Sequence, residues 1–66
     1  MKDFKPPLFE MEMLEDKYNI ILHVEQYEDK NIPDKYFYKT KDDDRWHIIG
    51  YTIEEAKKTL REIFMY

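Results

Sequence analysis

The chain contains no cysteine. Disulfides, thiolate catalysis and cysteine-ligated zinc or iron–sulfur sites are therefore excluded. Glycine and alanine occur once each, at Gly50 and Ala56, while Lys, Ile, Tyr and Glu are plentiful, a bias that suggests an AT-rich coding genome. No repeat, low-complexity tract or linker interrupts the chain. Its longest aliphatic run is Ile20-Ile21-Leu22, too short to span a bilayer. The first residues, Met1-Lys2-Asp3-Phe4-Lys5-Pro6-Pro7, hold no apolar stretch of the kind a secretory signal needs. A cytoplasmic protein with no membrane partner is expected. Basic excess is also missing: 11 Lys and Arg face 15 Asp and Glu, for a net charge of -4. Nucleic-acid binders usually carry the opposite balance, because cations displace counterions from phosphates.

What is present points to a folded chain. Hydrophobic residues make up 42%, charged residues 39% and aromatic residues 17%. That is too apolar for a disordered tail and too charged for a membrane protein. Sixty-six residues make one small domain, spanning 1–66. A chain of this length buries only about 60% of the surface its unfolded form exposes, so its stability margin is thin.

Pro6-Pro7 sets an extended start. Phe9, Met11 and Met13 then alternate with Glu10 and Glu12. Period two reads as a half-buried strand over 8–14, although Met, Glu and Leu are also good helix formers. Residues 18–27 form the clearest strand, with Tyr18, Ile20, Leu22 and Val24 on one face and Asn19, Ile21, His23 and Glu25 on the other. The polar stretch 28–34, with Pro33, is a loop. A short aromatic strand covers 36–40, Lys41-Asp42-Asp43-Asp44 is a turn, and a last strand covers 45–50. The C-terminal helix has the strongest signals. Thr52 and Glu55 form a capping box, and Glu54 and Glu55 set negative charge at the positive end of the helix dipole. Ile53, Ala56, Leu60, Ile63 and Phe64 make one apolar stripe, with Lys57, Lys58, Arg61 and Glu62 on the wet side. The expected fold is α+β: a three- or four-stranded antiparallel meander packed against one C-terminal helix.

One helix covers one face of a sheet. Phe9, Met11, Met13, Tyr18, Ile20, Leu22, Val24, Trp46 and Ile48 are expected beneath it. Ile21, Ile49 and Phe37, or its neighbours Tyr36 and Tyr38, are left for the opposite face, and a one-residue slip would exchange the sets. Two readings of that surplus stand side by side. Polar neighbours such as Glu25, Lys35 and Lys39 break it into isolated exposed side chains, or it forms a contiguous patch used for self-association or a partner.

His23 and Glu25 share a strand face and His47 lies on a later strand. Such a set resembles zinc ligands, but i, i+2 polar residues are also what an exposed strand face normally carries, so no metal and no cofactor is expected. No nucleophile or orienting third group accompanies them, and the chain is too short to wall a ligand pocket of a few hundred Å³, so no enzyme is expected. Asp42-Asp43-Asp44 lacks calcium-loop spacing and reads as a turn with solvated acids. A minority reading takes these acids, with Glu10, Glu12, Glu15 and Asp16, as phosphate mimics for a basic groove. Lys35, Lys39, Lys41 and Arg45 interleave with Tyr36, Phe37, Tyr38 and Trp46. That pattern suits either single-strand stacking or edge-strand protection.

The segment Gly50-Tyr51-Thr52-Ile53-Glu54-Glu55-Ala56 resembles the G-x-T-x-E-E-A junction of HicB-type antitoxins. It is also similar to the strand-to-helix junction of the three-strand-plus-helix DNA-binding domains of the recombinase arm-binding and plant ethylene-response types. The first resemblance implies a toxin-binding antitoxin, though the chain has no counterpart of that family's D-L-P-G segment. The second implies a sheet seated in the major groove. Both imply a sheet followed by a C-terminal helix. Together these observations lead to the expectation of a small non-enzymatic protein-interaction module, an accessory, antitoxin-like or inhibitory protein of bacterial or phage origin. Its contacts would be made with a protein partner or a second copy through Ile21, Phe37, Ile49, His23 and His47. The alternative is a nucleic-acid-binding module using Lys35, Lys39, Lys41 and Arg45.

Overall fold

A computed structural model describes residues 7–65. The elements run helix α1 (Leu8–Tyr18), strands β1 (Ile20–Glu25), β2 (Lys35–Thr40) and β3 (His47–Gly50), then helix α2 (Ile53–Phe64). The strands form one antiparallel sheet in the order β1-β2-β3. Both helices lie on the same face of it. The expected α+β meander with a C-terminal helix is present.

The segment 8–14 is a correction: it is helix, not a fourth strand. The residues that sink into the core are Met11, Leu14 and Tyr18, spaced at i, i+3 and i+7. The alternation of Phe9, Met11 and Met13 was incidental, since Phe9 and Met13 stay exposed at 75% and 56%. Helix-favouring Met, Glu and Leu prevail. Glu10 in the first turn and Lys17 in the last complement the helix dipole. The helix stops at Asn19, which adopts the left-handed conformation at φ 57° and donates its N–H to the Glu15 carbonyl. Asparagine is one of the few residues that reach this conformation at low cost. The chain then enters β1 directly.

β1 is shorter than the expected 18–27, since Tyr18 ends α1 and Asn19 caps it, but within it the two expected faces hold: Ile20 and Leu22 are buried, Ile21 half-buried and His23 exposed. It pairs with β2 from Ile20↔Thr40 to Glu25↔Lys35. Its other side is a sheet edge, and there the Leu22 N–H donates to Glu15 Oε2 at 2.7 Å. A helix carboxylate thus occupies an edge donor that would otherwise invite another strand.

β3 requires a second correction. Ile49 was expected on the face away from the helix and Trp46 and Ile48 beneath it; the reverse holds. Ile49 is buried at 4%, while Trp46 and Ile48 are exposed at 44% and 48%. The exit of the strand explains the phase. A Cβ on Gly50 would lie 2.7 Å from Glu55 Cβ and 3.0 Å from the Ala56 nitrogen. The backbone at Gly50 therefore rests directly on the first turn of α2. The register shifts here, Tyr36 facing Gly50 and Phe37 facing Ile48, so Ile49 is the extra residue and turns under the helix.

α2 begins at the expected cap, where Thr52 Oγ1 accepts from the Glu55 N–H at 3.1 Å, but the return bond of a capping box is displaced by one residue: Glu55 Oε1 accepts from the Tyr51 N–H at 2.9 Å, not from that of Thr52. Ala56 and Leu60 are fully buried, while Ile53 and Phe64 flank the core. Ile63, assigned to the apolar stripe, is instead exposed at 45%. The core joins Met11, Leu14 and Tyr18 of α1 to Ile20 and Leu22 of β1, Tyr36, Ile49, and Ala56 and Leu60 of α2. Stacking of Tyr18 on Phe64, with ring centroids 5.0 Å apart, closes one end. Lys57 Nζ reaches Glu10 Oε2 at 3.2 Å and ties the two helices across their half-exposed seam.

Candidate interaction surface

Because both helices pack on one face, the other face of the sheet is open among the described residues. β1 contributes Ile21, His23 and Glu25 to it, β2 contributes Lys35, Phe37 and Lys39, and β3 contributes Ile48, with Trp46 just before it. The pairings set these in rows. Ile21 lies opposite Lys39, His23 opposite Phe37 and Glu25 opposite Lys35, while Phe37 also faces Ile48.

The centre of this face is aromatic. The His23 ring lies 6.1 Å from Phe37 and 5.7 Å from Trp46, tilted against both. Lys39 places its ammonium 5.3 Å above the Trp46 ring, within the range of cation–π attraction. Ile21 and Phe37 are half-buried by their neighbours, while Trp46 and Ile48 stand out. At one end Tyr27 donates its hydroxyl to Glu25 Oε1 at 2.8 Å, which raises the Tyr27 pKa because the bond stabilises the neutral phenol. Glu25 Oε2 also lies 4.0 Å from His23 Nε2, and Lys35 sits 5.9 Å over the Tyr27 ring. The result is a patch of rings and isoleucines with Lys35 and Lys39 in it, and one carboxylate already engaged by its neighbours.

The structure sorts the residues singled out from sequence. Ile21, His23 and Phe37 come together on the open face, joined there by Lys35 and Lys39. Ile49 does not, since it belongs to the core. His47 is turned to the helix side, 5.4 Å from the Tyr38 ring, and His23 and His47 therefore lie on opposite faces. Among the described residues no three metal-ligating side chains gather. Lys41 and Arg45 sit in the β2–β3 connection, outside the strands. Trp46 and Ile48 were missed as surface residues because the phase of β3 depends on the Gly50 contact, which periodicity alone does not show.

The acidic triplet shapes that connection. Asp43 accepts the Arg45 N–H through Oδ1 at 3.0 Å and lies 3.3 Å from His47 Nε2 through Oδ2. The backbone bond to Arg45 first, and His47 second, hold its carboxyl below the ordinary Asp value. Asp43 is thus the brace of a hairpin turn that presents Trp46 to the open face.

A second apolar surface was not anticipated. α1 shows Phe9 and Met13 one turn apart on its outer side, beside the exposed Glu12 and Asp16. Met13 also borders a cleft of about 80 Å³ with Glu10, Leu14 and Lys57, a volume too small for a drug-sized ligand. No helix among the described residues is long and apolar enough to cross a membrane.

No protein-family model, no curated protein and no solved structure matches the chain. The likeness of residues 50–56 to antitoxin and DNA-binding junctions therefore rests on those seven residues, and the geometry accounts for four of them without common descent. Gly50 is demanded by contact with α2, Thr52 and Glu55 by the cap, and Ala56 by a position with no exposed surface.

Proposed function

We propose that the chain is a non-enzymatic protein-interaction module whose contact surface is the open face of the sheet. The observation that carries this reading is the clustering of His23, Phe37 and Trp46, flanked by Ile21 and Ile48, on a face that no element among the described residues covers. Aromatic residues supply large contact area with few rotatable bonds and are enriched at the centres of protein interfaces. Association that buries these rings also adds apolar burial to a chain whose own core is small.

A photoreactive side chain at Ile48, compared with one at Lys58 on the wet side of α2, tests the reading in the cells that express the protein. Protein adducts from position 48 and none from 58 are expected. Equal labelling from both positions, or none from 48, overturns it.

The stacking of Lys39 on Trp46, with Lys35 on the same face, favours a second reading: capture of single-stranded nucleic acid by stacking and charge. Nuclease-sensitive adducts at position 48, and binding that weakens steeply with salt, would select this alternative.

A further inference from the structure

We propose that copies of this chain associate head to tail, the outer side of α1 in one copy lying across the open sheet face of the next. The proposal rests on the interaction-module reading and names its partner.

The two surfaces match in the spacing of their apolar side chains and in charge. Phe9 and Met13 are 75% and 56% exposed and stand one helical turn apart on α1, Met13 at the rim of the cleft that Leu14 and Lys57 line. Side chains at i and i+4 stand about 6 Å apart along a helix. Successive rows on one sheet face stand about 7 Å apart along a strand. The two apolar side chains can therefore rest on adjacent rows, those of Phe37 with Ile48 and of Trp46. Glu12 and Asp16 border Phe9 and Met13 on the helix and are exposed. Lys35 and Lys39 border the rings on the sheet and outnumber the carboxylate there, Glu25, which stays charged while accepting from Tyr27. An acidic helix with apolar knobs thus meets a cationic aromatic face. Layering supports the same arrangement: helices cover the other face of this sheet, and a helix from a second copy would cover the bare one.

Within one copy α1 packs beneath the opposite face, so a copy cannot satisfy its own sheet. The contact uses two different patches and is heterologous, and it propagates unless a rotation closes it.

Sedimentation of the full chain from about 10 µM to about 1 mM is expected to show a mass that keeps rising past two copies, and less so at high salt. Ile48→Glu blocks the sheet face and Met13→Lys blocks the helix face. Each variant alone should remain monomeric, and an equal mixture should form a species of two copies and stop there, since one open face of each kind remains. Lys39→Glu should weaken association several-fold, and Glu12→Lys combined with it should restore most of the loss. Trp46→Ala and Phe9→Ala serve in the same mixing experiment if either first variant loses its folded circular dichroism spectrum. A chain that stays monomeric throughout overturns the proposal, as does a mass that levels at two copies with variants that fail to complement. Adducts from position 48 to a different protein, with a monomeric chain, would remove head-to-tail association and leave the module reading standing. No adducts at all would remove both.

Discussion

The two faces of the sheet are made from the same three strands, yet one is a core and the other a surface. On the helix side Ile20, Leu22, Tyr36 and Ile49 are each less than a tenth exposed, packed with Met11, Leu14, Tyr18, Ala56 and Leu60. On the open side the residues between them, Ile21, His23, Phe37 and Ile48, lie among Trp46, Glu25 and Lys39, with neither helix over them. Both faces carry large apolar side chains, although the open one also holds His23, Glu25, Lys35 and Lys39. What separates them is the covering layer. The lesson is that folding energy is concentrated on one face, which leaves the other able to carry large rings at little consequence for stability.

Substitutions that break this contrast should fall in a definite order. Leu60→Ala removes a fully buried side chain from the centre of the covered face and should cost about 3 kcal/mol in chemical denaturation. In so small a chain that is a large share of the total. Gly50→Ala drives a methyl group into Glu55 Cβ and the Ala56 backbone, with an expected loss of about 2 kcal/mol and a shifted β3. Thr52→Ala deletes the cap of α2 and should cost about 1 kcal/mol, visible as a lower melting temperature.

Titration sharpens the comparison further. The Tyr36 pKa is raised above 10.0, first by burial and then by the charges of Asp34, Glu54 and Glu10. A raised phenol pKa means that the folded state holds the proton more tightly than the unfolded one. Its contribution is complete below about pH 10 and is lost as the pH rises through the raised value. Urea midpoints measured from pH 8 to pH 11 should fall at the alkaline end, and less so in Tyr36→Phe. The smallest effect on stability belongs to the open face: Ile48→Glu should change unfolding free energy by no more than about 0.5 kcal/mol. A loss as large as that of Leu60→Ala would mean that the open face is a second core, and the contrast between the faces would fail.

Much of this architecture was legible in the residue pattern. β1 could be read from its alternation, α2 from its stripe, and its start from Thr52 and Glu55. α1 was not, because over seven residues a Met/Glu pattern satisfies period two as well as a helix does. The deciding residues lay further on, in Leu14, Tyr18 and the left-handed stop at Asn19. The membership of the open face was half legible. Ile21, His23 and Phe37 follow from the phase of β1 and β2, whereas Trp46, Ile48 and Ile49 were assigned to the wrong sides.

Local chemistry was enough to specify which segments become helix or strand near a cap, a turn or a long apolar alternation, because those preferences act within a few residues. The phase of β3 and the choice of a single face for both helices arise from contacts distant in the chain, such as Lys57 with Glu10 and Tyr18 with Phe64. The turn of Ile49 under α2 is also a matter of packing, governed by the close approach of the Gly50 backbone to that helix. A strand offers two equivalent sides, and only the layer that settles on one of them makes it the inside.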